Sequence, residues 1–255
     1  MENNLLMRPI IFLMAVFFLL AACKPANCPP ACTGADLSRM DLQNKDFTGV
    51  NLQRADLSGA LLQGANLRGA DLTDANLTNA NLKDADLSEA VLQRANFSGA
   101  DLSGAILIKT RADESTQWDA KWRLTWELVN QGGAGRNLHG VDLSGAYLWG
   151  VNFKDANLSQ ANLSWTTLYQ ANLYRANLSN ADITWAKLTD ANLAQANLTG
   201  AQLRWSDLRQ ANLSGANLSW VDGRGAWFKD AQVEGVIMEN AWLTGAILAD
   251  GSRSH

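Results

Sequence analysis

The chain has 255 residues, is 47% hydrophobic and 18% charged, and carries a formal net charge of -4. That apolar share excludes global disorder, and four prolines with twenty glycines exclude a collagen-like chain. The mildly acidic balance speaks against binding nucleic acid through a positive surface, and two histidines with three cysteines leave little material for a metal or nucleophile site.

Arg8 precedes an apolar run from Ile10 to Leu20. The run is too short to span a bilayer as a helix and has the length of a signal-peptide core. Leu20-Ala21-Ala22-Cys23 then resembles the lipobox of bacterial lipoproteins. The resemblance implies removal of residues 1–22, a diacylglyceryl group on Cys23, export, and membrane anchoring on the extracytoplasmic side. Two acyl chains are enough to hold a protein stably on a bilayer. Lys24, in place of an aspartate, implies that delivery to an outer membrane is permitted where there is one. Residues 23–34 form a linker and cap in which Cys28 and Cys32 flank two prolines. Export allows these two cysteines to be oxidised, but one pair without histidine cannot supply a tetrahedral zinc site.

From Leu37 to Leu107 every fifth residue is Leu or Phe, and from Leu138 to Leu248 every fifth residue except Gly223 is apolar. A small residue, most often Ala, lies two positions before each of these centres, with Asn or Asp between. An α-helix turns about 500° in five residues, so the leucines would decorate every face. In an extended segment the Ala and Leu point inward and the Asn or Asp outward. Because five is odd, the chain must turn once per repeat. The result is a four-cornered β-solenoid, and the number of sides comes from longer periods. Trp165, Trp185 and Trp205 share one slot at intervals of twenty. The outward slot departs from Asn or Asp at Tyr147, Thr167, Lys187 and Trp227, again on a twenty-residue grid, although Asp207 keeps the rule.

The pentads Ala-Asn-Leu-Ser-Gly and Ala-Asp-Leu-Ser-Gly resemble the signature of the pentapeptide repeat proteins. That resemblance implies a right-handed quadrilateral β-helix with four pentapeptides per coil, carried by segments 35–108 and 137–250. Between them, residues 109–136 shift the frame by one. Trp118, Trp122, Trp126 and Val129 make a helical stripe there, and Thr116 with Asp119 resembles a capping box. We expect one short helix over Trp118 to Asn130, packed by its tryptophan face. Past Gly223 the pentads decay. Trp227, Ile237, Trp242 and Ile247 take outward slots and need a cover, either a local cap or a second chain. The family resemblance implies a homodimer through the C-terminal coils; residues 251–255 are a tail.

No nucleophile, base and orienting group assemble from spacing, since neither His139 nor His255 has an obvious partner. The many aspartates share outward slots interleaved with Asn and Arg. We therefore expect a non-enzyme without cofactor or metal. The expected function is that of a lipid-anchored structural or protein-interaction scaffold of the cell envelope, meeting an envelope protein through Trp165, Trp185 and Trp205, with Tyr169 and Tyr174 nearby. One alternative is an envelope glycan-binding protein using the same tryptophans. The other comes from the resemblance alone: some members imitate B-form DNA and bind gyrase, which needs a dense negative face and a cytoplasmic location.

Overall fold

A single pentad accounts for the architecture. The Leu57 N–H donates to the Asn76 carbonyl one coil on (2.7 Å) and the Gly59 N–H to the Thr78 carbonyl (2.8 Å). The Ala60 N–H closes a turn on the Leu57 carbonyl (3.0 Å), and the Leu61 N–H reaches back to the Met40 carbonyl (2.9 Å). The remaining donor, the Ser58 N–H, is taken by the Asp56 side chain (3.0 Å). Every backbone N–H of the pentad thus has an acceptor, as a buried coil requires. Asn and Asp recur before the leucine because a short side-chain oxygen is the acceptor for the N–H two residues on.

The computed structural model describes residues 32–255. Parallel bridges join residues twenty apart, as in Asp36–Asp56–Asn76 and Asn157–Asn177–Asn197. The chain therefore winds as a right-handed, four-sided β-helix with twenty residues per coil. We number the sides by their outward residues: side 1 carries Asp56 and Asn157, side 2 Asn81 and Asn162, side 3 Asp86 and Thr167, side 4 Asp71 and Asn172. Inside, the Leu and Phe centres and the Ala two before them are nearly all buried, many with no exposure. Burying each leucine stabilises by roughly 1.5–3 kcal/mol. Where a hydroxyl replaces that Ala, it bonds a main-chain carbonyl: Thr166 to Leu163 (2.6 Å) and Ser206 to Leu203 (2.6 Å).

The frame shift lies between Arg111 and Gln117. Asn96 bridges to Gln117, twenty-one residues on, so one repeat has six residues, closed by the Thr116 N–H on the Asp113 carbonyl. Helix α1 follows over Ala120–Gln131. It starts two residues later than the stripe suggests, and the expected capping box is absent. Asp119 caps through its main chain only, and the Thr116 hydroxyl donates to the Leu92 carbonyl. Trp118 lies outside the helix and stacks on Phe97 with centroids 4.6 Å apart. Trp122 and Leu128 are buried, and the Trp126 indole N–H donates to the Thr110 hydroxyl (3.0 Å). The helix is seated on the core. Beside it, the Gly104 N–H donates directly to the Gly145 carbonyl (2.8 Å), so the corner after side 2 continues across the interruption.

At the C-terminal end the tail folds back. Ile247 pairs antiparallel with Arg253, and Gly245 and Leu248 donate to the Ser254 and Ser252 carbonyls. Side 3 of the last coil is closed in this way. Val233 and Met238, core centres of that coil, are each 37% exposed. Gly223 has no side chain because Leu243 from the next coil fills its place; a Cβ there would lie 2.8 Å from the Leu243 Cδ2.

Candidate interaction surface

The corner between sides 2 and 3 is a β-turn whose third residue has a positive φ. Trp165, Trp185 and Trp205 hold that position with φ of 62°, 61° and 59°. Identical positions in successive coils superpose their side chains. The indoles stack nearly parallel, 5.1 Å apart for Trp165–Trp185 and 5.6 Å for Trp185–Trp205. Below the column lies Gly225, where a Cβ would meet the Trp205 ring at 2.6 Å. Above it lie Gly145 and Gly104. One face of Trp165 is thus covered by Trp185 and the other looks onto residues without side chains.

Beside the column runs side 3 of the second segment. Its outward slots hold Tyr147, Thr167, Lys187, Asp207 and Trp227 where the other sides carry mostly Asn or Asp. Column and side together form a groove of about 890 Å³ reaching from Lys83 and Lys121 to Trp227, with Tyr169 in its lining. Losing the Asn or Asp removes an internal acceptor. The Tyr169 and Thr189 N–H groups, two residues after Thr167 and Lys187, have no acceptor among the described residues.

The charge in the groove is divided unevenly. Burial pushes the Asp207 carboxyl up, but hydrogen bonds from Arg209 (2.8 and 2.6 Å) outweigh this and hold it below the usual carboxylate range. Arg209 also sits over the Trp227 ring at 5.2 Å. Lys121 bonds the Ser144 hydroxyl (2.8 Å) and approaches Asp142 (3.4 Å). Lys83 and Lys187 have no ion-pair partner among the described residues. The groove is positive in a chain that is negative as a whole.

Other residues singled out by the sequence fall elsewhere. Tyr174 belongs to side 4, where its hydroxyl donates to Gln195 (3.0 Å) and Lys154 lies over its ring; it is not part of the column. Trp227 and Ile247 share side 3, Ile237 is on side 1 and Trp242 on side 2, so these four ring the end and do not form one patch. The apolar recess at that end, about 320 Å³, is lined by core centres, among them Phe228, Val233, Met238 and Leu243. Periodicity marked those positions as interior and hid that the last coil leaves them uncovered. Cys32 is buried and disulfide-bonded. Cys23 and Cys28 lie outside the described residues.

Coiling does give His139 a neighbour that spacing did not suggest. Its Nδ1 lies 2.9 Å from the Ser159 hydroxyl. That hydroxyl also donates to Asn157 Oδ1 (2.7 Å), the pair is exposed, and among the described residues no carboxylate orients the imidazole, so the dyad lacks the parts of a nucleophilic site. Among the described residues no cluster of His, Cys, Asp or Glu could hold a metal ion. Several acidic groups on the outer walls are paired across coils, as in Arg94–Asp74 (2.6 Å), Arg175–Asp155 (3.1 Å) and Arg68–Glu89 (2.9 Å).

A family model described as "Pentapeptide repeats" matches residues 32–69, 70–107, 137–174, 176–215, 201–240 and 211–250. HetL, a pentapeptide repeat protein involved in heterocyst differentiation regulation in the cyanobacterium Nostoc, is 31% identical over 94% of this chain and 98% of its own, with a TM-score of 0.33. A second pentapeptide repeat protein from Nostoc is 39% identical over 43% of this chain and 84% of its own, with a TM-score of 0.35. QnrB1, a plasmid-mediated fluoroquinolone resistance protein, is 18% identical over 84% of this chain and 89% of its own, with a TM-score of 0.36. No curated protein matches the chain.

Proposed function

The chain belongs to the pentapeptide repeat family, and from that membership we propose that it is a non-catalytic protein-interaction scaffold of the bacterial envelope, held there by lipid on Cys23 and presenting side 3 to a partner protein. The observation that carries this reading is the concentration of sequence individuality on one side of an otherwise uniform rod. In the second segment, ahead of its last coil, the other three sides carry mostly Asn and Asp rungs, whereas side 3 and its corner carry tryptophan, tyrosine and unpaired lysine around a groove. Aromatic residues are enriched where proteins meet.

The stacked column bears on the glycan alternative. Sugars pack on open ring faces, and here the indoles cover one another, leaving one free face on Trp165. The paired acidic walls likewise give little support to DNA imitation, which needs a dense and unneutralised negative face.

A photoreactive residue at Thr167 in intact cells tests the partner. A discrete crosslinked protein, lost when Trp165, Trp185 and Trp205 are all replaced by Asn, is expected; a partner that persists in the triple variant excludes the column. Asn tolerates the positive φ of the corner, so the fold is retained. Labelled palmitate incorporated by the wild type and absent from Cys23→Ser tests the anchor. The apolar recess at the last coil favours a second copy meeting it end to end, and light scattering of the protein without residues 1–23 is expected to give twice the chain mass. A monomer excludes that contact.

A further inference from the structure

The corner column that holds the tryptophans can be followed coil by coil: Asp84, Gly104, Gly145, Trp165, Trp185, Trp205, Gly225. Side chains in it lean over the next coil. The Asp84 carboxylate lies over Gly104, where a Cβ would clash with it, and the Trp205 ring lies over Gly225. Gly104 and Gly145 contribute nothing, so two consecutive levels hold no side chain. With coils roughly 4.8 Å apart, about 14 Å separates the Asp84 carboxylate from the Trp165 ring, and a stacked ring occupies about one level. A Cβ at Gly145 would have only ordinary contacts with Ser103 (3.5 Å). The recess therefore has a floor of glycine and serine and an aromatic wall in the free face of Trp165, which is 64% exposed. Its far rim carries Lys83 and Lys121. Farther along the groove stand Lys187 and the N–H group of Tyr169, which has no acceptor among the described residues. Flat apolar space against an indole, where Lys83, Lys121 and Lys187 outnumber the Asp84 carboxylate at the far end, selects an aromatic ring accompanied by carboxylates.

We propose that this recess seats an aromatic side chain of the partner protein, presented between acidic residues. The inference rests on side 3 being the interaction surface and specifies what the partner must offer there. The guest ring adds one level to an indole stack already built at the spacing that offset aromatic pairs adopt, and its flanking carboxylates meet Lys83 and Lys187.

The test is calorimetric titration of the full-length protein with a capped tripeptide of aspartate, tryptophan and aspartate. Saturable binding with one peptide per chain is expected. It should weaken about tenfold, or 1.4 kcal/mol, when serine replaces the peptide tryptophan, and fall severalfold in Lys83→Ala and in high salt. The decisive variant is Gly145→Trp. The corner accepts tryptophan at the same position in three other coils, so the variant folds, extends the stack onto Trp165 and fills the recess; an unchanged melting temperature with loss of peptide binding is expected. Absence of saturable binding, or equal binding by Gly145→Trp, overturns the proposal. Free indole-3-propionate binding as tightly as the peptide also overturns it, by making the ligand a small aromatic acid. In each of these cases a crosslinked partner at Thr167 would leave the scaffold reading standing.

Discussion

Asparagine and aspartate alternate in the outward slot as if interchangeable, and for the hydrogen bond they make they are: Asn66 and Asp56 both accept the N–H two residues on. They differ in acid. Hydrogen bonds from Ser38, Thr48 and Arg224 hold the carboxyls of Asp36, Asp46 and Asp222 below the ordinary carboxylate value. A carboxyl with a depressed folded pKa stabilises above its unfolded value, about 3.9, and loses that contribution as pH falls through the folded value. Melting temperature should thus be flat from pH 8 to about 5 and fall below about pH 4. Replacing the three aspartates by asparagine should flatten the acid limb, as read by thermal denaturation at pH 3. Sequence periodicity gave the direction of this slot, since alternation determines which way a side chain points. It gave no partner, because the partner is the residue's own turn. The tryptophans were legible as a column for the same reason. Their positive φ was not, and it costs each about 1–2 kcal/mol against glycine, comparable to what stacking returns.

The interruption shows what a spacing can and cannot convey. A gap of thirty-one residues between centres announced a slip of one, and the six-residue repeat before Gln117 is that slip. The helix start was misplaced because Trp118 satisfies two periods at once: it fits the stripe of α1, yet serves as the inward residue of the last repeat, stacked on Phe97. The glycines after the helix read as a stop signal, and Gly133 has a second duty. It occupies a core-centre slot already filled by neighbours, and a Cβ there would meet the Phe153 ring at 2.7 Å and Leu128 at 3.0 Å. Gly133→Ala should destabilise the protein by about 1–3 kcal/mol through overpacking, measured by denaturant unfolding. Gly132→Ala, in open space but at φ 84°, serves as a comparison that reports backbone strain alone. A similar loss in both would make strain the cause.

Across the whole molecule the twenty-residue winding and the side of each rung are legible in the sequence, because a pattern repeated this often averages out local ambiguity. The two ends are not. The fold-back of residues 251–255 depends on a few main-chain bonds, and Val233 and Met238 are core centres that remain partly exposed, which their place in the period does not convey. The quarter-turn between successive pentads also bears on how such a molecule can change through descent. Loss of a full winding shortens the rod and leaves every rung above its former neighbour. Loss of one pentad rotates everything downstream by ninety degrees. Deleting residues 191–195 should therefore preserve the solenoid yet carry Trp205 to another corner and abolish the near-ultraviolet dichroism of its pairing with Trp185, whereas deleting residues 208–227 should leave that signal intact. Inheritance of the tryptophan seam is then quantised: between Trp165 and Trp205 lineages can gain or lose whole repeats only in multiples of four without breaking it, whereas an insertion of one residue is absorbed as in the repeat before Gln117.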